Sequence, residues 1–291
     1  MHRTLATLAA LATATTPTLA ADPVVLQPNG SWNLDYADEK CLLTRLFGEG
    51  KDTHFLAFQQ YWPAPEAGVT VAGPGFDRFR SLARTDVRFS ETQTPFATTP
   101  FTGTVGSYGP GVIFSNLRPD RGEPEQNVTG ETGKPGLPQL DPTLGKQAVF
   151  LELAQGGRTV RLETGPMDAA FAALNACTLD LLRDWGLDPE RHLTAQNGPR
   201  WRNEEALTRR IVANYPRDAR MQGEQGIMRM RVIVAADGSV ESCTIISATK
   251  TERLESPACE VMQRAQFDPA RDANGTPFRS LYATSITYRM R

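Results

Sequence analysis

The chain has 291 residues, 40% of them apolar, and carries 31 basic and 33 acidic side chains for a net charge of −2. That length is enough for one or two ordinary cores. The balance of charge argues against a nucleic-acid binder, because from residue 204 onward 13 Lys and Arg face 11 Asp and Glu without forming a basic stripe.

The first residues read as a leader. His2 and Arg3 precede a short Ala/Leu/Thr run over 5–14, and Thr18-Leu19-Ala20-Ala21 follows before Asp22. The apolar run is too short to cross a bilayer and ends in small residues, the pattern of a secretory signal peptide cut after Ala20 or Ala21. Residues 1–21 are therefore expected to be removed on export. The alternative, an uncleaved leader acting as an anchor, stays open.

Residues 22–187 show extended runs at 40–47, 54–60, 68–72, 111–114, 147–154 and 159–163, broken by glycine and proline. This spacing predicts an antiparallel sheet, with Gln155-Gly156-Gly157-Arg158 as a hairpin turn. The stretch 119–142, rich in Gly, Pro, Glu and Asn, reads as an exposed loop. Met167, Phe171, Leu174, Thr178, Leu181, Leu182 and Trp185 then recur at helical spacing and Gly186 stops the run. The expectation is an antiparallel β-rich α+β domain closed by one helix, its function unassigned. Residues 188–203 read as a linker with His192 solvated.

No catalytic constellation stands out in this half. His54 and His192 are the histidines left after the leader, and no G-x-S-x-G nucleophile turn accompanies them. The glycine-rich run from Gly103 to Gly111 lacks the Lys-Ser/Thr ending of a phosphate loop and reads as a surface turn. Asp35, Asp38 and Glu39 read as a solvated hairpin end. Isolated histidines and scattered acids supply no metal-ligand spacing. No catalytic residue, metal or cofactor is expected.

Residues 204–291 are the most legible part. Residues 205–213 read as a helix. Met228, Met230, Val232 and Val234 alternate with Arg229, Arg231 and Ile233, which puts one row on a buried sheet face. Ala236-Asp237-Gly238-Ser239 is a turn into a second strand over 240–247. Leu254, Ala258, Val261, Met262 and Ala265 predict a helix over about 251–264, ended by Phe267-Asp268-Pro269-Ala270. After the turn Asn274-Gly275-Thr276-Pro277, residues 280–290 form a final strand. The module is thus helix, β-hairpin, helix, β-strand.

Tyr215-Pro216, Ala219, Gly223, Gly226, the strand 228–234, Asp237-Gly238-Ser239-Val240, Leu254, Ala258, Phe267, Pro269-Ala270 and Gly275-Thr276-Pro277 occur in an order that resembles the TonB C-terminal domain. The resemblance covers about a third of the chain. It implies a Gram-negative periplasmic protein associated with TonB-dependent outer-membrane transport, in which the edge of the last strand accepts an extended peptide by strand addition. Tyr282, Thr284, Ile286 and Tyr288 are the edge residues expected on one face of that strand, with Leu281, Ala283, Ser285 and Thr287 on the other. The implied partner is a peptide of an outer-membrane transporter or another periplasmic protein, with a wall component such as peptidoglycan a further possibility and a homodimer through the strand edge compatible with the same chemistry. The chain departs from the family pattern in its leader and in lacking a long proline-rich spacer. An adaptor is therefore expected rather than an anchored energy transducer of transmembrane transport, with an unrecognised hydrolase or ligand-binding activity of residues 22–187 as the alternative.

Cys41, Cys177, Cys243 and Cys259 form an even set without a C-x-x-C pair, and in an exported chain disulfides are the default. Cys243 on the second hairpin strand and Cys259 on the following helix are placed to pin helix to sheet. That leaves Cys41 with Cys177, the alternative being two buried free thiols.

Overall fold

The computed structural model describes residues 22–120, 135–213, 217, 221, 226–247 and 258–288. The leader, much of the expected loop 119–142 and the first half of the helix expected at 251–264 lie outside the described residues.

The chain order begins with β1 (Val24–Leu26), β2 (Pro28–Ala37), β3 (Lys40–Phe47), β4 (His54–Gln60), β5 (Ala67–Ala72), β6 (Thr85–Arg88), β7 (Phe96–Thr98), β8 (Phe101–Val105) and β9 (Gly109–Leu117). It continues with α1 (Pro142–Gln147), β10 (Leu151–Gln155), β11 (Arg158–Leu162), α2 (Asp168–Asp184), α3 (Pro189–Leu193), β12 (Arg200–Trp201) and α4 (Glu204–Ala213). The last elements are β13 (Gly226–Val234), β14 (Val240–Ser247), α5 (Ala258–Met262), β15 (Phe267–Asp268) and β16 (Ser280–Tyr288). This is the expected α+β, strand-rich chain.

The N-terminal part holds two sheets where the sequence pattern predicted one. A six-stranded antiparallel sheet runs β2-β3-β4-β5-β9-β8, and a five-stranded sheet runs β1-β11-β10-β6-β7 with β1 parallel to β11. Both contribute to a single core. Leu43, Leu56, Phe58, Val69, Val112 and Phe114 come from the first sheet, and Val87, Leu151, Leu153, Val160 and Leu162 from the second. The expected helix is α2, which buries Phe171, Leu174, Cys177 and Leu181 in that core. Gly156 and Gly157 both take positive φ in the predicted hairpin turn, and Gly186 does so after α2.

Two expectations here are corrected. Residues 147–150 are not strand: Asp141 caps α1 by accepting from the Thr143 N–H at 2.7 Å, and Pro142 occupies the first turn, a start signal present in Asp-Pro-Thr. The run 188–203 is not a free linker. It forms α3, capped by Asp188, and β12, which pairs with β15, so the chain is held to the C-terminal module on both sides.

In that module the sheet order is β14-β13-β16, antiparallel throughout. Met230, Val232 and Val234 pack with Trp201, Leu207, Ile211, Ala258, Val261, Met262, Phe267 and Tyr282 under the helices. Gly238 takes a φ of +85° where the Phe267 carbonyl oxygen would lie 2.2 Å from an added Cβ, so the hairpin turn requires glycine.

Both expected disulfides are present. Cys41–Cys177 ties β3 to α2 across a separation of 136 residues, and Cys243–Cys259 ties β14 to α5 across 16. In the chain-entropy view the longer loop contributes more, about 4–5 kcal/mol against about 3 kcal/mol. Replacing Cys41 and Cys177 together by alanine is expected to lower the denaturant midpoint more than replacing Cys243 and Cys259, measured by tryptophan fluorescence in urea.

Candidate functional site

The sequence predicted one buried face on the C-terminal sheet; the structure buries both. The row opposite the helices is Arg229, Arg231, Ile233, Leu281, Ala283 and Ser285, and it is covered by the N-terminal part. Ile233 and Leu281 pack with Leu182 and Leu187, with Trp62, Leu137 and Trp185 alongside. Arg229 is only 2% exposed. Its guanidinium donates to the Asn116 side chain at 2.6 Å, to the Ser285 hydroxyl and to the Ser115 carbonyl, and lies 5.2 Å from the Tyr61 ring centre and 5.8 Å from that of Trp62.

No carboxylate is within ion-pair distance of Arg229 among the described residues, and burial pulls its pKa down to about 10. It therefore stays charged at neutral pH, its cation received by three hydrogen-bond acceptors and two aromatic faces and attracted through space by the Glu66 carboxylate. Arg231, next in the row, pairs with Glu39 and sits 4.1 Å from the Trp185 ring centre. Glu39 thus does more than end a hairpin: it bridges the two parts of the chain. Arg279 adds a third bridge, bidentate to Glu241 and donating to the carbonyls of Trp185 and Gly186 at the end of α2.

The expected edge residues separate by role. Tyr282 is 3% and Thr284 6% exposed, and Tyr282 meets the rings of Trp201 and Phe267, so both side chains serve the module's own core. Ile286 is partly buried against the same core. Tyr288 closes β16 opposite Gly226.

The main chain tells a different story from the side chains. Leu281 N–H donates to Nε2 of His192 at 3.2 Å and so points away from β13. Main-chain groups on a strand alternate sides. It follows that Leu281, Ala283, Ser285 and Thr287 direct their N–H and C=O outward, while Ser280, Tyr282, Thr284, Ile286 and Tyr288 pair with β13. No strand lies against this outer edge among the described residues.

Both histidines are structural in type, which corrects the solvated reading of His192. His192 is 4% exposed; its Nδ1 donates to the Asp188 carbonyl at 2.6 Å and its Nε2 accepts from Leu281. His54 repeats the arrangement, with Nδ1 donating to the Asp52 carbonyl at 2.7 Å and Nε2 accepting from Gly75 N–H at 2.9 Å. Gly73 and Gly75 admit the His54 ring, since a Cβ on either would approach it within 2.4 Å and 2.7 Å. Burial lowers the pKa of both histidines. Among the described residues each ring nitrogen is engaged with the main chain, Nδ1 with a carbonyl and Nε2 with an N–H, and not with a nucleophile or acid as in a catalytic triad.

Residues 212–290 match the family described as Gram-negative bacterial TonB protein C-terminal. They form a TonB C-terminal domain. Protein TonB of Pseudomonas putida is 32% identical over 101 residues, which is 35% of this chain and 35% of that protein. The similarity therefore spans about a third of the relative's length. No solved structure matches the chain. The arginine row that holds the TonB domain to the N-terminal part was missed in the sequence because alternation of Arg with apolar residues ordinarily marks a solvated face; its one signal is the pair of arginines, Arg229 and Arg231, on one face of the middle strand.

Two outcomes follow. Arg229→Ala strips partners from Asn116 and Ser115 and opens a cavity, so a loss of about 3 kcal/mol is expected in urea unfolding. The histidines, with folded pKa values below the ordinary one of about 6.5, bind protons more readily when unfolded. Their part of the stability is whole above about pH 6.5 and declines as pH falls through and below it. His54→Gln and His192→Gln are each expected to shrink the fall in unfolding free energy between pH 7 and pH 5.

Proposed function

We propose that the protein is a non-enzymatic adaptor of TonB-dependent transport in the Gram-negative envelope, which captures an extended peptide of an outer-membrane transporter by strand addition to the outer edge of β16. The observation that carries this reading is the row of outward main-chain groups at Ala283, Ser285 and Thr287, which no strand pairs among the described residues, on a strand whose Leu281, Tyr282 and Thr284 side chains are buried. Main-chain hydrogen bonds supply the affinity in this mode. A strand with one open edge between two packed faces offers a rigid template, so little ordering cost falls on the receptor.

The family resemblance supports the partner class, and the leader pattern supports export to the periplasm. Among the described residues no helix is long and apolar enough to cross a membrane. The same open edge serves a second copy of the chain, so a strand-paired homodimer competes with the peptide in this reading.

Ala283→Pro tests the edge directly. It deletes an outward N–H without touching the ladder to β13, a substitution that edge strands tolerate. At least a tenfold loss of affinity for synthetic N-terminal segments of outer-membrane transporters is expected by calorimetry, with the thermal midpoint changed little. Equal affinity in the folded variant would remove this edge as the receptor.

A further inference from the structure

Among the described residues no strand pairs with the outer edge of β16, yet that edge is closed at its start. The first outward N–H, that of Leu281, is already spent on Nε2 of His192. His192 belongs to α3, outside the residues that match the TonB family.

We infer that His192 is a register stop: it fixes the end of the open edge, so that an added strand pairs with Ala283, Ser285 and Thr287 and terminates before Leu281. This rests on the strand-addition reading above. Antiparallel and parallel strands shift register in steps that change which side chains face which surface. An edge without an end would accept a peptide in several such registers. An edge whose first donor is consumed and whose approach is filled by a helix accepts fewer.

The stop is held firmly. The Asp188 side chain caps α3 by accepting from Arg191 N–H at 3.1 Å, while the Asp188 carbonyl fixes the His192 tautomer that leaves Nε2 free to accept. The ring stands edge-on to Phe278, 5.0 Å between centres. Arg191 lies over the same Phe278 ring, 4.9 Å from its centre, and donates through Nε and Nη2 to Asp272 in the turn before β16. Helix α3 is thereby clamped to the segment that leads into the receptor strand. A bound peptide gains less from the Leu281 N–H than the chain loses by giving up His192, Phe278 and the Arg191–Asp272 pair together.

The charged groups acting on the ring are Asp188 and Arg191 from its own helix, with Asp272 from the facing turn engaged by Arg191. A proton on Nε2 would turn the acceptor into a second donor facing the Leu281 N–H. The stop therefore holds only while His192 is neutral.

The test uses the full chain, labelled with 15N, and a heptapeptide selected on it from a displayed random library. In the free protein at pH 7 the Leu281 amide is expected to exchange slowly and those of Ala283 and Ser285 quickly; rapid exchange at Leu281 would overturn the proposal without any variant. On adding the peptide, protection is expected at Ala283, Ser285 and Thr287. In His192→Leu, protection is expected to spread to Leu281, and a peptide lengthened by two residues at that end to bind about tenfold more tightly than the original. Identical footprints and length dependence in the two proteins would overturn the stop while keeping the edge. A peptide that binds without protecting any β16 amide would overturn both readings.

Discussion

A guanidinium taken out of water and hydrogen-bonded to neutral acceptors is the constraint on which this architecture turns. Arg229 projects from the middle strand of the C-terminal sheet into the N-terminal part, where an asparagine, a serine, a main-chain carbonyl and two aromatic rings receive it. A buried cation with no carboxylate in direct contact is costly unless its hydrogen bonds and cavity fit it. That cost makes a loose or slipped interface worse than the native one. The arginine thus selects a single docking of sheet on domain, and Arg231 with Glu39 and Arg279 with Glu241 secure its flanks.

Once both faces of the sheet are covered, the surface left for recognition is its rim. Helices occupy one side, the N-terminal part the other, and β13 is paired along both edges. The free polar groups of β16 are then set by strand parity alone. Side-chain chemistry on that strand answers to packing, so the selectivity of any added strand must come from where it can start and stop and from the surfaces that border the groove.

Much of the fold was legible because local chemistry and tertiary packing agree. The β3 and β4 boundaries, the Gly-Gly hairpin turn, the stripe of α2 and the alternation in β13 each carry one unambiguous period. The parts that escaped have physical reasons. Strand β2 contains Pro28, Gly30, two polar residues, Asn33 and Asp35, between its aromatics and no buried position, since it lies at a sheet edge. Strands β6 and β7 are too short to show a period. Of the edge, the identity of the strand could be read, but the division between packing side chains and outward main chain could not, because it depends on the bond from His192 that joins residues 89 apart. Arg229 shows the same limit: a charge on a strand is buried only if a distant surface is built to receive it.

The pairing of the cysteines also bears on how the protein matures. The first in the chain bonds the second, and the third bonds the fourth. A polypeptide delivered N-terminus first into an oxidising compartment presents its thiols in that order, so an oxidant that simply joins each newly emerged cysteine to the one still waiting produces the native connectivity. No reshuffling step is needed. The N-terminal staple can close as soon as α2 has emerged, before Cys243 and Cys259 of the C-terminal module are available to compete for its thiols.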